Sequence, residues 1–312
     1  MTDIVSIGEV LIDLTQRGTD AQGIPQYSAN PGGAPANLAV AAARLGAKTA
    51  YIGRVGTDSF GKFLKTCLDE NGVNTEGMSM DPARPTTLAV VSVDSTGERS
   101  FSFYRDFGAD VNLTEADVPE KLLKEAKYLH FGSVSLTADP SYSTTLATAK
   151  KAKALGATVS YDPNYRASLW SDEKTAVLRI LEPLDFVDVL KLSDEELPLL
   201  AGTEDLEAGT AKLAERGISL IFVTLGPKGA FFRFRGQTGQ VPGVSVKVAD
   251  TNGAGDTFFG AALSRLSKLN SLDDLTVPEL EKITNFANRA AAMTTSRPGA
   301  IPAMPTLREL EG

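Results

Sequence analysis

The chain has 312 residues, 42% of them hydrophobic, and a formal net charge of −8. That length and apolar content suit one large α/β domain or one domain with an appendage, and the acidic balance argues against nucleic acid or an anionic membrane as the main partner. A single cysteine, Cys67, permits no internal disulfide, and with the lone His130 it offers no Cys/His metal site.

The start, Met1-Thr2-Asp3-Ile4-Val5, shows neither the basic segment nor the long apolar run of a signal peptide, and no apolar stretch reaches transmembrane length. The expectation is a cytoplasmic protein, for which the sequon Asn112-Leu113-Thr114 means nothing. In chain order, β-branched runs predict strands at 3–8, 48–53, 127–132, 157–161, 186–190, 219–224 and 230–235. Amphipathic spacing predicts helices at 36–45, 59–71, 141–155, 173–181, 207–216, 255–268 and 279–295. Strands alternating with helices imply a largely parallel sheet covered on both faces.

One region breaks the rhythm. Residues 87–94 read as a strand, Ser95-Thr96-Gly97-Glu98 as a turn and 99–105 as a second strand, where a crossover helix is expected. The first strand is apolar on both faces, with Leu88 and Val90 on one and Ala89, Val91 and Val93 on the other, so it needs two covers. Segments around 12–14 and 22–29 add further strands, giving a discontinuous β lid from about 11–30 and 85–107 that interrupts one domain spanning 1–312. One cover is substrate or the main domain; the other is a second subunit, so a homodimer through the lid is expected.

Candidate sites cluster where strands give way to helices. Asp13, in Gly8-Glu9-Val10-Leu11-Ile12-Asp13, follows the first strand, on the edge where open α/β sheets bind ligands. It reads either as a carboxylate accepting two sugar hydroxyls or as a solvated loop acid. Pro31-Gly32-Gly33-Ala34-Pro35-Ala36-Asn37 opens a helix; its paired glycines let backbone approach a ligand, and Asn37 offers both donor and acceptor. A plain strand-to-helix turn is the alternative. Gly56 to Lys62 matches the spacing of a P-loop, but Phe63 stands where Mg²⁺ needs Ser or Thr, so the match fails.

Further along, Asp162-Pro163-Asn164-Tyr165-Arg166 ends a strand, and Arg166 either clamps an anion or bridges to Asp162. Lys191-Leu192-Ser193-Asp194-Glu195-Glu196 opens another helix; its acids suit the macrodipole, while Glu196 one turn on from Ser193 could organise Mg²⁺ through water. Thr224-Leu225-Gly226-Pro227-Lys228-Gly229 is a turn whose small residues suit a nucleotide wall or merely the next strand. The most informative run is Asp250-Thr251-Asn252-Gly253-Ala254-Gly255-Asp256, followed by Phe258, Phe259, Ala262, Leu263 and Leu266 at helical spacing. Small residues at a helix start let a phosphate meet free backbone N–H groups, with an aspartate beside it to take a proton. A Gly-rich loop with Asn252 as cap is the plainer reading.

Together these segments resemble the ribokinase-like (PfkB) family of ATP-dependent sugar kinases over nearly the whole chain. Gly32 to Asn37, with Gly46 and Gly56 at the family spacing, matches one signature, and Asp250 to Leu263 the other. Gly33-Ala34-Pro35-Ala36-Asn37, the run 97–105 with Gly108-Ala109-Asp110, His130-Phe131-Gly132-Ser133 and residues 162–166 look most like bacterial fructokinases. The resemblance implies a ribokinase-like fold: a largely parallel sheet flanked by helices, with a small β-sheet lid. It implies Asp13, Gly32, Gly33 and Asn37 on the sugar, with Arg105 from the lid and Arg166 nearby. Asp256 becomes the general base, and Gly253, Ala254 and Gly255 the anion hole. Ser193 and Glu196 sit on the Mg²⁺ and phosphate side; Thr224, Gly226 and Gly229 line ATP, and Asn288 lies near adenine. K⁺ would sit by Asp250, Asn252 and Gly299. Two positions depart from the family pattern: Asn252 stands for Thr, and Ser193 for Asn. The implied reaction takes fructose to fructose 6-phosphate. 2-Keto-3-deoxygluconate is the rival substrate, and a non-catalytic sugar binder on the same fold the rival class.

Overall fold

The computed structural model describes residues 1–93 and 99–312; the predicted turn 95–98 and the signature residues Gly97 and Glu98 lie outside the described residues. Strands run in chain order as β1 (Thr2–Ile7), β2 (Leu11–Thr19), β3 (Pro25–Gly32), β4 (Thr49–Gly56), β5 (Asn74–Asp81), β6 (Leu88–Val93), β7 (Arg99–Tyr104), β8 (Ala126–Gly132), β9 (Thr158–Asp162), β10 (Val189–Ser193), β11 (Leu220–Thr224), β12 (Ala230–Phe234) and β13 (Gln237–Val241). Helices are α1 (Ala34–Arg44), α2 (Ser59–Glu70), α3 (Glu120–Glu125), α4 (Ser141–Ala154), α5 (Glu173–Leu181), α6 (Glu196–Ala201), α7 (Leu206–Ala214), α8 (Ala254–Leu266), α9 (Val277–Thr295) and α10 (Leu307–Glu311).

Nine strands form one sheet in the order β13-β12-β11-β10-β9-β8-β1-β4-β5. It is parallel from β5 to β11, and β12 and β13 close it as an antiparallel hairpin. Alternation explains why both faces are covered. Val5 and Ile7 enter one core with Leu129, Phe131 and residues of α4 and α5. Ile4 turns the other way, onto Leu38 of α1 and the apolar faces of α8 and α9.

The chain leaves β1 toward β4 and β5 on one side, then returns to β8 on the other. The strand order reverses about β1, and an open α/β sheet leaves its ligand crevice at such a point. Segments from the ends of β1, β8, β9 and β10 all open there.

The second sheet has four strands in the order β3-β2-β6-β7, inserted between β1 and α1 and again between β5 and β8. Register puts Asp13 beside Ala89, which pairs with Phe103, so these three share one face. Ile12, Leu88 and Tyr104 share the other. Ala89 and Val91 are buried as expected, whereas Leu88 and Val90 are half-covered.

Two differences from the expected elements have physical causes. The strand expected at 186–190 is β10, at Val189–Ser193, because residues from Glu182 to Phe186 form a 3₁₀ turn that continues α5. The apolar run therefore spans a helix exit and a strand entry. Edge strands β5 and β13, with sequences NTEGMSMD and QTGQV, carry too little apolar alternation to be read as strands. The P-loop look-alike is a capped turn: Asp58 accepts the Gly61 N–H at 2.8 Å and so fills the helix start itself.

Candidate active site

Two helix starts meet at the centre of the crevice. Gly253, with φ of 74°, is the N-cap of α8, and a side chain there would sit 2.9 Å from the Ala300 Cβ. Further along α8, a Cβ on Gly260 would lie 2.8 Å from the Leu38 carbonyl oxygen, so only glycine lets α8 lie this close to α1. That approach lets Asn37 Nδ2 donate to Asp256 Oδ2 at 2.8 Å, between residues 219 apart in sequence. Both side chains are buried. The two signature motifs therefore build one site.

Burial pushes the Asp256 carboxyl above its ordinary value, against the opposing pull of the Asn37 hydrogen bond, Lys191 and Arg166. Asp13, brought in by β2, is raised to about 7, by burial first, with Asp256 and Asp250 adding repulsion and Arg166 opposing. Gly32 lies directly over the Asp13 carboxylate, where any side chain would displace it. Gly33, with φ of 104°, presses on the backbone of Glu9 and Val10.

The crevice has two lobes that share Asn164, Arg166, Asn252, Gly253 and Asp256. One lobe adds Glu9, Leu11, Asp13, Gly33, Ala34, Asn37 and Phe103. The other adds Lys191, Thr251, Ala254 and Gly255. In this second lobe the N–H groups of Gly255 and Asp256 have no hydrogen-bond partner among the described residues. A helix start with unpaired N–H groups, the arrangement that suits an anion, thus lies alongside a polar, acid-lined hollow, with Asp256 common to both.

Sequence reasoning overlooked Lys191. Its Nζ donates to Asp162 Oδ2 at 2.9 Å inside the protein, and a Cβ on Gly255 would lie 2.9 Å from that nitrogen. Burial works against its charge, but Asp162, Glu196 and Asp256 outweigh burial and hold the ammonium above its ordinary value. The available signal was a lysine inside the apolar run Val189-Leu190-Lys191-Leu192, since a lysine is almost never buried unless paired. Of the two readings of Arg166, the bridge to Asp162 is not made: Asp162 is bound to Lys191, while exposed Arg166 leans on the carbonyls of Asn164 and Tyr165 at 3.4 and 3.0 Å.

The remaining candidates scatter around this centre. Arg105 lies outside both lobes, buried at the root of the small sheet, with Nε on Asp110 at 2.7 Å and Nη1 on Thr137 at 2.6 Å. Ser193 and Glu196 form a reciprocal cap: Glu196 Oε2 accepts Ser193 N–H at 2.8 Å and Ser193 Oγ accepts Glu196 N–H at 3.2 Å. Glu196 Oε1 takes the Tyr165 N–H at 2.7 Å, tying the exit of β9 to that of β10. Among the described residues no cluster of three or more His, Cys, Asp or Glu could by itself hold a metal.

Asp250 gathers the other cation candidates, accepting Asn252 N–H and Gly299 N–H, each at 3.0 Å. Thr224 ends β11, and Gly226 and Gly229 follow it; a side chain on Gly229 would run into the backbone at 241–243. Asn288 donates to the carbonyls of Val241 and Pro242, both at 3.1 Å, and so fixes the chain beyond β13. No helix among the described residues is long and apolar enough to cross a membrane.

The pfkB family carbohydrate kinase model matches residues 1–307. Fructokinase-1 of Oryza sativa subsp. japonica is 42% identical over 307 residues, covering 97% of this chain and 94% of the relative. A fructokinase from Xylella fastidiosa with bound ATP superposes with a TM-score of 0.93 at 34% identity, covering 100% of this chain and 98% of the other. A fructokinase from Vibrio cholerae O395, in its fructose-, ADP- and calcium-bound form, gives 0.89 at 37% identity, covering 99% and 97%.

Proposed function

Because the chain belongs to the pfkB family of carbohydrate kinases, we propose that it transfers the γ-phosphate of MgATP to fructose, giving fructose 6-phosphate. The observation that carries this reading is Asp256, held by Asn37 at a helix start that separates an acid-lined hollow from an anion-binding lobe. Relatives and neighbours named as fructokinases support the choice of sugar. Charge supports it too: Glu9, Asp13 and Asp256 line the hollow, with Arg166 the one cationic side chain among its described lining residues, which suits a neutral polyol better than 2-keto-3-deoxygluconate.

Phosphoryl transfer asks mainly for positioning and charge stabilisation. Asp13, the backbone at Gly32 and Gly33, and Asn37 hold the sugar so that one hydroxyl lies on Asp256, and Arg166 closes the boundary between the lobes. Asp256 accepts the proton as that hydroxyl attacks the γ-phosphorus. The free N–H groups of Gly255 and Asp256, in the anion hole that Gly253, Ala254 and Gly255 leave open, meet the charge on the transferring group together with the Lys191 ammonium. Thr224, Gly226 and Gly229 form the nucleotide wall, and Asn288 holds the 241–242 backbone that borders adenine. Glu196, capped by Ser193, would help hold the Mg²⁺ that ATP brings, which would offset charge on its phosphates. A K⁺ held by Asp250 and by backbone at Asn252 and Gly299 would add positive charge beside the anion lobe.

The small sheet acts as a lid that excludes water from the transferring phosphate. Its outer face, carrying half-covered Leu88 and Val90 and exposed Tyr27 and Tyr104, is covered by the lid of a second subunit in a cytoplasmic homodimer. Light scattering at micromolar concentration checks this, and a clean monomer refutes it.

A coupled ADP-release assay across fructose, ribose, 2-keto-3-deoxygluconate, tagatose 6-phosphate and adenosine tests the activity. Fructose is expected to give the highest kcat/KM. A higher value for the keto acid overturns the substrate, and no sugar-stimulated ADP release at all leaves only a binding protein.

A further inference from the structure

Glu9 follows β1 directly, at the point where the strand order reverses, and lines the sugar lobe while only 3% exposed. Its carboxylate is fixed rather than free to rotate. Oε1 accepts the Ala34 N–H at 3.0 Å, capping the start of α1. Gly33 presses on the backbone beneath it, where a Cβ would sit 2.6 Å from the Glu9 carbonyl oxygen. Capping explains one oxygen. It does not explain the second: Oε2 is buried and has no hydrogen-bond partner among the described residues.

An unpaired carboxylate oxygen inside a protein is costly, and such groups are found with partners. The same cleft holds a second unpaired acceptor, Asn37 Oδ1, whose amide nitrogen is engaged by Asp256. Two acceptors without donors line a hollow proposed above to receive a molecule rich in hydroxyl donors. We infer that Glu9 determines sugar specificity: its Oε2 accepts a hydrogen bond from a fructose hydroxyl other than the one phosphorylated, and Asn37 Oδ1 accepts another. This rests on the fructose reading and adds to it a residue that binds the sugar directly. It also accounts for a full carboxylate at position 9, where a cap alone would need a single acceptor.

The experiment is a cycle of residue and hydroxyl deletion. Wild type and Glu9→Gln are assayed with fructose and with 1-deoxy-, 3-deoxy- and 4-deoxyfructose, and kcat and KM are separated. Glutamine keeps an oxygen for the Ala34 N–H, so the cap survives. In wild type, assayed at pH 9 so that Glu9, which burial raises to about 7, is ionised, one analogue is expected to lose about 10–100-fold in kcat/KM, as befits a hydrogen bond to a charged group, mostly through KM. In Glu9→Gln that one penalty shrinks to a few-fold, as for a neutral pair, while the penalties of the other analogues stay as they were. A residue that only supports the helix start would scale all four sugars equally. If every penalty is unchanged in the variant, or if no analogue loses more than about twofold with wild type, the inference is overturned while fructose phosphorylation stands. A wild type that releases no ADP with fructose overturns both together.

Discussion

Asp256→Asn lowers kcat by about 10²–10⁴ while leaving the protein folded, because it removes the proton acceptor without removing volume. Asparagine keeps an oxygen to accept from Asn37 Nδ2, so the 2.8 Å contact between the starts of α1 and α8 survives. Stability moves in the other direction from activity. Burial raises the Asp256 pKa above its ordinary 3.8, which means that folding disfavours the charged form. A carboxyl shifted upward binds its proton more tightly when folded, so its contribution is full below the unfolded pKa and is lost as pH rises through the folded one. The variant therefore gains thermal stability relative to wild type as pH rises above about 4. The same shift sets the acid limb of wild-type kcat/KM above the usual aspartate range, and the variant keeps only the shallower limb that Asp13 contributes. Asp13, raised to about 7, titrates beside it and steepens the limb. Steady-state kinetics from pH 5 to 9 and melting curves over the same range check these statements. A variant that phosphorylates fructose near the wild-type rate ends the general-base assignment.

What could be read from the sequence was whatever depends on residue size and local order. Gly253, Ala254 and Gly255 announce a bare helix start in any context, and Gly33 and Asn37 announce another. Neither motif alone says that the two helices touch. That depends on Gly260 lying against Leu38, a contact between segments more than 200 residues apart. Pairings were harder to foresee than positions. Arg105 was expected to reach the sugar, but Asp110, five residues on, captures its guanidinium at 2.7 Å and anchors it at the sheet root. Arg166 and Lys191 were both able to pair with Asp162, and only the register of β9 against β10 chooses between them, by placing Leu190 beside Tyr161. Glu9 escaped notice for a related reason. A glutamate beside a strand end looks solvated until the insertion of β2 and β3 folds back over it.

Lys191→Met is expected to damage both stability and rate, and the two can be separated. Removing the ammonium leaves Asp162 buried without its ion-pair partner, and breaking such a pair costs about 3–5 kcal/mol. Loss of one donor at the site of developing charge lowers kcat by about 10²–10³. The double variant Lys191→Met/Asp162→Asn takes away the stranded charge. Replacing a whole buried pair by groups of similar volume is often neutral, so urea unfolding should return most of the lost stability. The rate should not return, because methionine offers nothing to the phosphate that approaches Gly255 and the start of α8. KM for fructose should stay within a few-fold of wild type in both variants, since Lys191 lines the anion lobe and not the sugar lobe. Recovery of kcat together with stability in the double variant would show that Lys191 only braces the strand ends. Rescue of stability alone would place its charge on the transferring phosphoryl group, which is the role implied by its 2.9 Å clearance from a Cβ at Gly255.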